Sequence, residues 1–241
     1  MVIHRCFRFL GFGAFALSVV SVLVDREDDV CWMQCVGALQ EEVLTTSPYQ
    51  NVPIDRWPKT TRRLVDAHPL TAEEIVEVVL NAWESIFSSR MGSKGFVIGV
   101  DIVPKPQIMG FLLHALIPLE FAARFPDQWR AELDASDRDI VYLPDDRFSI
   151  ELKTSSNARH IYGNRSYAQE SPRKKKLKSG YYLAVNFEKF TEGAKHPRIA
   201  MIRFGWLDAC DWLGQRAATG QQSRLPPEVE NAKLITFYSA S

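Results

Sequence analysis

Two residues of opposite charge, Glu151 and Lys153, stand two positions apart in this chain. Side chains two apart on a β-strand project from the same face of the sheet, so a strand here presents both groups together. A carboxylate holds a divalent cation through its oxygens, and an adjacent ammonium orients an attacking water and screens charge on a phosphorane-like transition state. The pair therefore suits phosphodiester hydrolysis. Alone it carries little weight, because a chain with 29 acids shows acid-x-Lys by chance.

A second carboxylate is expected from a β-hairpin that ends on this strand. Two β-prone runs, 140–143 and 148–153, flank the turn-forming segment Pro144-Asp-Asp-Arg147. A turn centred near Asp145 places Asp139 directly across from Glu151, with their Cβ atoms about 5 Å apart.

The register decides which acid is the first one. A shift of one residue in the turn moves Asp139 to the other face of the hairpin, and Asp145 or Asp146 is then the alternative. Two carboxylates at this spacing bind Mg²⁺ and leave positions for water and a phosphate. The candidate catalytic and metal-binding residues are Asp139, Glu151, Lys153 and the backbone carbonyl of Leu152.

Hydrogen-bonding and basic side chains follow the hairpin. Between Lys153 and Lys178 the chain has eight positive residues and a single acid, Glu170, although its formal net charge is zero. Such a local concentration suits contact with DNA phosphates, and the polar side chains suit base edges. The candidate DNA-binding residues are Ser155, Ser156, Asn157, His160, Asn164, Arg165, Arg173, Lys174, Lys175 and Lys176.

The pattern Asp139…Glu151-Leu-Lys153 resembles the PD-(D/E)xK nuclease motif. The strings Ile150-Glu-Leu-Lys-Thr-Ser-Ser156, His160-Ile-Tyr-Gly-Asn-Arg-Ser-Tyr-Ala-Gln169 and Ile202-Arg-Phe-Gly-Trp206 resemble type II restriction endonucleases. Within these enzymes the chain is most similar to the ScaI-like family, over roughly residues 70–238.

The resemblance implies a Mg²⁺-dependent homodimer that cuts both strands of double-stranded DNA at a short palindrome. It also implies functional pairing with a DNA methyltransferase. Hydrolysis by a metal-activated water is expected to leave 5′-phosphate and 3′-hydroxyl ends. Glu151 and Lys153 match the motif directly. Pro144-Asp145 spells its first half literally but lies only six residues before Glu151, whereas Asp139 lies twelve before and fits the hairpin better.

The remaining elements predict the fold. Thr71 and Glu74 form a capping box, and apolar residues at helical spacing predict a helix over 72–89. A short strand is expected at 96–100, and a mostly buried helix from Pro106 to Phe125. Further strands are expected at 181–187, 198–204 and 234–238, with a short helix at 207–213. The predicted class is α/β, with a restriction-endonuclease-like mixed β-sheet flanked by helices.

Composition excludes several classes of protein. The chain has 241 residues, of which 46% are hydrophobic and 24% charged, so it is neither disordered nor fibrous nor a coiled coil. Its four cysteines have no zinc-ligand or disulfide-framework spacing, and we interpret them as reduced thiols. No phosphate-binding GxxxxGK[ST] or GxGxxG motif is present.

The amino-terminal segment is interpreted separately. Residues 1–32 contain Arg5, Arg8 and an apolar run from Phe9 to Val24. This run is shorter than the roughly 20 residues of a membrane span. It is a secretory signal or anchor, a native buried segment, or an over-extended gene start with Met33 as initiator. We favour the last, with one nuclease domain over 33–241, a cytoplasmic location and no stable membrane association.

Three other functions remain open at this point. The chain is alternatively a monomeric DNA repair or nicking nuclease, or a DNA-binding module with a dead site. A secreted or anchored protein whose hairpin is only structural is the third.

Overall fold

A mixed six-stranded sheet carries the predicted hairpin. The computed structural model describes residues 47–168, 178–192, 196–215 and 221–240. The sheet has the order β1-β2-β3-β5-β6-β9, and only the β3–β5 pair is parallel. Its strands are β1 (Trp129–Ala131), β2 (Ile140–Tyr142), β3 (Ile150–Ser155), β5 (Gly180–Phe187), β6 (Ile199–Leu207) and β9 (Leu234–Ser239). The predicted α/β class with a mixed sheet is confirmed.

Within the part of the chain that the structure describes, four α-helices accompany the sheet: α1 (Trp57–Asp66), α2 (Ala72–Ser88), α3 (Pro106–Arg124) and α4 (Pro227–Lys233). Helix α2 begins where predicted, because Thr71 and Glu74 exchange side chain-to-backbone hydrogen bonds in a capping box. Apolar residues of α2 and α3 pack on the face of the sheet formed by Ile150, Leu152 and alternate residues of β5. This face contains most of the core.

The opposite face of β3 and β5 is covered by a smaller structure. Strands β4 (Tyr162–Asn164), β7 (Leu213–Gly214) and β8 (Gln222–Arg224) form an antiparallel sheet in the order β4-β8-β7. A second apolar cluster joins Tyr182 and Ala184 of β5 to Trp212 and to Val229 of α4. Glu151 and Lys153 lie on this side, since they pair in register with Tyr182 and Ala184.

The hairpin has the predicted register. Ile140 pairs with Ile150 in antiparallel orientation, and continuing this register outward places Asp139 opposite Glu151. A 3-10 helix over Asp146–Phe148 makes the connection. The two strands are therefore joined by a longer link than a simple turn.

Three local predictions were wrong, at residues 96–100, in helix α3 and at residues 207–213. Residues 96–100 do not form a strand: they belong to a series of turns with isolated bridges, in which Gly95 and Gly99 adopt positive φ. Helix α3 is not mostly buried. Its face at Ile108, Phe111 and Leu119 is exposed, because the core contacts only the side with Leu113 and Ile117.

By length and apolarity alone, α3 is the one helix among the described residues that is able to span a membrane. Its buried face packs into the protein core, as core helices that pass the same test do. The short helix expected at 207–213 is a single 3-10 turn, Ala209–Asp211. The predicted boundary between residues 32 and 33 lies outside the described residues.

Candidate active site

Glu151 and Lys153 lie side by side on a central strand. Only 3% of Glu151 and 9% of Lys153 is exposed, while Leu152 between them points into the core on the other face. Ala184 is the register partner of Lys153 on β5, and its small side chain leaves space above the strand. A carboxylate and an ammonium this deeply buried are stable only when they are paired and hydrogen-bonded.

Lys153 donates three hydrogen bonds. Its Nζ lies 2.7 Å from Glu151 Oε1, 3.1 Å from the Leu152 carbonyl oxygen and 3.0 Å from Tyr167 Oη. Since an ammonium has three N–H donors, all of them are engaged. Tyr167 in turn donates its hydroxyl hydrogen to Glu151 Oε1, which closes a triangle of Glu151, Lys153 and Tyr167.

Asp139 approaches the same strand from β2. Its Oδ2 accepts a hydrogen bond of 2.6 Å from the backbone N–H of Leu152, immediately beside Glu151. This contact fixes the first candidate acid against the backbone of β3. Asp139 is half-buried and thus more open to solvent than Glu151.

A second cation, Arg138, lies close to Glu151. Its Nη1 is 3.8 Å from Glu151 Oε2, its Nη2 donates to the carbonyl of Ser179, and its guanidinium lies 5.9 Å from the centre of the Tyr182 ring. Gly180 makes room for it, because a Cβ there would lie 2.5 Å from Arg138 Nη2. The two acids are thus matched by two cations.

The two nearby tyrosines stay protonated. Burial and the negative charge of Glu151 raise the pKa of Tyr167 above its ordinary value, and the more distant charge of Asp139 acts in the same direction. Burial likewise raises the pKa of Tyr182. Tyr167 is therefore a hydrogen-bond donor to Glu151 at neutral pH.

The two alternative candidates for the first acid, Asp145 and Asp146, make their contacts within the hairpin connection. Asp145 forms an ion pair with Arg147 at 2.6 Å, and that guanidinium lowers the pKa of Asp145. Asp146 accepts a hydrogen bond of 2.8 Å from Ser149 Oγ. The structure brings Asp139, Glu151 and Lys153 together, and it engages Asp145 and Asp146 in the connection that precedes β3.

Comparison with known proteins identifies the family of this chain. A model of the ScaI restriction endonuclease family matches residues 47–238. The type II restriction enzyme ScaI of Streptomyces caespitosus is 53% identical over 205 residues, which are 84% of this chain and 89% of that protein. The chain belongs to the ScaI restriction endonuclease family. It is therefore related to site-specific deoxyribonucleases, as the sequence predicted.

In this member of the ScaI family, the loop after β3 carries the first predicted DNA-binding residues. Ser155 Oγ accepts a hydrogen bond of 3.1 Å from the backbone N–H of Asn157. Asn157 Oδ1 in turn accepts from the N–H groups of Arg159 and His160, each at 3.0 Å. Ser156 lies half-buried beside them. The side chains of Ser155 and Asn157 thus shape the loop.

A buried polar network holds this loop against the sheet. Asn186 of β5 donates to the carbonyls of Asn157 and His160, at 2.8 and 3.1 Å. Arg203 of β6 donates to the carbonyl of Arg159 and to Asn186 Oδ1. Glu230 of α4 accepts from the backbone N–H of Ile161 and contacts His160 Nδ1 at 2.7 Å. The loop is anchored from three elements.

His160 remains available at one edge. Half of its side chain is exposed, and it borders a cavity of about 290 Å³ with Arg159, Arg203 and Glu230. Asn164 is exposed at the end of β4, and the backbone N–H of the next residue, Arg165, donates to the carbonyl of Gln221 at 2.8 Å. Predicted residues Arg173, Lys174, Lys175 and Lys176 lie outside the described residues.

Sequence reasoning missed several residues of the site. Tyr167 belonged to the string that carried the family resemblance, but nothing in its spacing indicated contact with Glu151 and Lys153. Arg138 precedes β2, where strand alternation no longer predicts the direction of a side chain. Arg203 and Glu230 reach the loop from positions 44 and 70 residues away from their partners. No local signal marks such pairs.

The donor set suits a hard divalent cation. Among the described residues, no three His, Cys, Asp or Glu side chains cluster as a metal site. Asp139, Glu151 and the Leu152 carbonyl provide oxygen ligands, which Mg²⁺ prefers, and Mg²⁺ keeps several waters. Lys153 Nζ already contacts two of these oxygens. These oxygens thus already contact a positive charge, and their chemistry fits Mg²⁺.

Proposed function

We propose that this chain is a Mg²⁺-dependent type II restriction endonuclease that cuts both strands of double-stranded DNA at a short palindrome. It leaves 5′-phosphate and 3′-hydroxyl ends. The observation that carries the proposal is the register of the hairpin, which sets Asp139 opposite Glu151 and beside Lys153. Membership of the ScaI family supports the reaction class.

Asp139, Glu151 and the backbone carbonyl of Leu152 would hold the metal ion. When bound, the ion supplies Lewis-acid stabilisation of phosphate charge and a water of lowered pKa. Lys153 orients the attacking water and stabilises the charge that develops on the phosphate. Arg138 balances the charge of Glu151 from the side away from Lys153, so the site is not strongly anionic before DNA enters.

The DNA lies along the segment after β3 in this proposal. His160, Asn164 and Arg165 follow β3 with side chains that are exposed or half-buried, and Ser155 and Asn157 set the shape of the loop beside Ser156. The basic run Arg173, Lys174, Lys175 and Lys176 supplies phosphate contacts. Phosphate contacts position a protein on DNA, and base contacts determine the sequence that it reads.

The protein acts as a homodimer in this proposal, since a two-fold protein matches a two-fold site. The exposed face of α3 suits a second copy, because Ile108, Phe111 and Leu119 form one apolar stripe at helical spacing. Helix α3 also touches the catalytic strand: a Cβ at Gly110 would lie 3.0 Å from Thr154 Oγ1. Since Glu151 and Lys153 lie on the opposite face of β3, pairing through α3 would leave the catalytic side chains of both copies uncovered by the partner.

Phe111→Glu tests this surface. We expect sedimentation to give a dimer dissociation constant at least tenfold larger than in the wild type, because the substituted residue would bury a charge in an apolar contact. Leu133→Glu is the matched control, since Leu133 is 80% exposed and lies in the loop after β1. Equal weakening in both variants, or in neither, argues against α3 as the interface.

The proposal also covers the extent of the nuclease domain and the place where the enzyme works. Residues 33–241 form the nuclease domain, and residues 1–32 are not needed for activity. The enzyme works in the cytoplasm without stable membrane association, beside a DNA methyltransferase that protects the host site. A chain started at Met33 that folds and cleaves would support this part of the proposal.

A plasmid digest tests the function. Wild-type protein is expected to give discrete fragments with Mg²⁺ and none with EDTA, and Glu151→Gln is expected to bind DNA without cutting it. Asp139→Asn should be equally inactive, whereas Asp145→Asn should cleave, which distinguishes the two candidate first acids. Nicked circles as the end product would indicate the monomeric nuclease instead. Intact plasmid with specific binding would indicate the dead module.

A further inference from the structure

Lys153 is anchored by three acceptors that differ in kind. Two of them, Glu151 Oε1 and the Leu152 carbonyl, are also the oxygens assigned above to the metal ion. The third is Tyr167 Oη, at 3.0 Å, which is not a candidate ligand. In the state described here, the ammonium therefore occupies oxygens that a metal ion also needs.

The ring of Tyr167 is held firmly in place. It packs against Trp212 with ring centres 5.2 Å apart, and its centre lies 4.6 Å from Lys153 Nζ. Gly163 permits this packing, because a Cβ there would lie 3.1 Å from the Tyr167 ring and 3.2 Å from Trp212. A hydroxyl on so constrained a ring is a fixed point for the lysine.

We propose that Tyr167 is a positioning residue for Lys153, which keeps the ammonium at the reaction centre while Glu151 and Leu152 bind metal. The inference rests on the proposed function. Lys153 then exchanges two of its three bonds for water and phosphate, and it keeps the third to Tyr167. Without that bond a four-carbon side chain has many rotamers and no defined direction.

The same hydroxyl also competes with the metal. Tyr167 donates to Glu151 Oε1, so removal of its oxygen leaves that carboxylate atom more available to a cation. Loss of the hydroxyl is therefore expected to have two opposite effects: tighter metal binding and slower cleavage. A residue that only supports the fold would weaken both.

Tyr167→Phe is the test, in the full-length protein. We expect kcat for plasmid cleavage to fall about tenfold, as for loss of one hydrogen bond to a charged group, with KM for DNA within about twofold. Calorimetry with Mg²⁺ alone, without DNA, should show binding at least as tight as in the wild type. An unchanged kcat, or a parallel loss of kcat and Mg²⁺ affinity, overturns the proposal.

Tyr181→Phe is the matched control. Tyr181 lies on β5 and donates its hydroxyl hydrogen to the carbonyl of Leu64 at 2.9 Å, on the opposite face of the sheet. Its loss removes a comparable hydrogen bond from the core and leaves the catalytic side chains untouched. We expect kcat and Mg²⁺ affinity to stay unchanged in this variant. An equal fall in kcat here would overturn the specific role of Tyr167.

A spectroscopic measurement separates this inference from the proposed function. Ammonium groups fixed by hydrogen bonds exchange slowly with water, so Lys153 should give a ¹H–¹⁵N signal that is missing in Lys153→Arg. We expect that signal to persist with Mg²⁺ in the wild type and to disappear with Mg²⁺ in Tyr167→Phe. Its persistence in the variant overturns the inference, even if the enzyme cleaves DNA. A wild type that fails to cleave refutes the function independently.

Discussion

Two buried clusters in this protein have nearly the same chemical composition. In one, Lys153 lies with Glu151 and Asp139, and in the other, Lys233 lies with Asp208 and Asp211. Both combine a lysine with two carboxylates inside the fold. Residue type and burial therefore do not distinguish the candidate reaction centre from the structural cluster.

The second cluster is closed on every side. Lys233, 2% exposed, donates to Asp208 at 2.8 Å and to both oxygens of Asp211 at 2.9 Å, and the rings of Tyr49 and Trp57 cover it at 4.1 and 4.5 Å. Burial still raises the pKa of Asp211. Aromatic rings and protein donors leave little access for a substrate.

The first cluster is arranged differently. Lys153 shares its bonds between a carboxylate, a backbone carbonyl and a phenol, and Asp139 remains half-buried at the strand end. In the proposed mechanism, water and phosphate oxygens replace two of these acceptors, Glu151 and the Leu152 carbonyl, when a metal ion binds them. We infer that access and exchangeable hydrogen bonds, more than charge, distinguish the candidate catalytic lysine from the structural one.

Replacing each lysine by methionine separates the two roles. Lys153→Met is expected to lower kcat by roughly 1,000-fold, because a group that stabilises the transition state by several kcal/mol is lost. The unfolding free energy should change by less than about 2 kcal/mol, since Arg138 still neutralises Glu151. Single-turnover cleavage and urea unfolding measure the two quantities. Substantial cleavage by this variant would mean that Lys153, like Lys233, has only a structural role.

Lys233→Met should show the reverse behaviour. Removal of the cation leaves two buried carboxylates without a partner of opposite charge, which costs about 3–5 kcal/mol of unfolding free energy. The kcat of the folded fraction should equal that of the wild type, because this cluster lies outside the catalytic machinery. Urea denaturation and activity per folded molecule are the measurements. A large fall in kcat would contradict the division between the clusters.

His68 is another buried titratable group, and it is surrounded by aromatic rings. Burial lowers its pKa to about 4, and its Nε2 contacts the Phe148 carbonyl at 3.1 Å. The unfolded chain therefore binds the proton more readily, and His68 costs stability as pH falls from about 6.5 to 4, by up to about 3 kcal/mol. Above pH 6.5 this contribution is absent.

His68→Phe removes that titration. Between pH 7 and pH 4.5, the difference in unfolding free energy between variant and wild type should shift by about 2 kcal/mol in favour of the variant. Urea unfolding at the two pH values provides the measurement. A constant difference would mean that His68 is not the neutral buried group described here.

Local patterns predicted the parts of the fold that depend on near neighbours. The capping box of Thr71 and Glu74 starts α2 as expected, and the hairpin register places Asp139 opposite Glu151. The roles of these acids remain predictions. Each inference used residues close in sequence, with strand alternation or helical spacing to give the direction of the side chains.

Other features depend on contacts between distant segments. Strands β4, β7 and β8 have two or three residues each, too few for an alternating pattern, and β4 pairs with β8 across about 60 residues. Tyr167 reaches Glu151 because this small sheet folds over the catalytic face. The apolar composition of α3 predicted burial all round, but the sheet covers only one side of it.

Strand β3 and its parallel neighbour β5 are joined by one crossover, which contains the loop after β3, β4 and Tyr167. The DNA-binding candidates all fall on β3 or within this single insertion between two strands of the core sheet. Connecting segments of this kind generally tolerate sequence change better than the strands that they join. Asn186, Arg203, Glu230 and Tyr167 nevertheless tie it to the core and to the reaction centre. In the proposed function this crossover reads the target, so a transplanted crossover would recognise a new sequence only in a scaffold that keeps Asn186, Arg203 and Glu230 as its anchors.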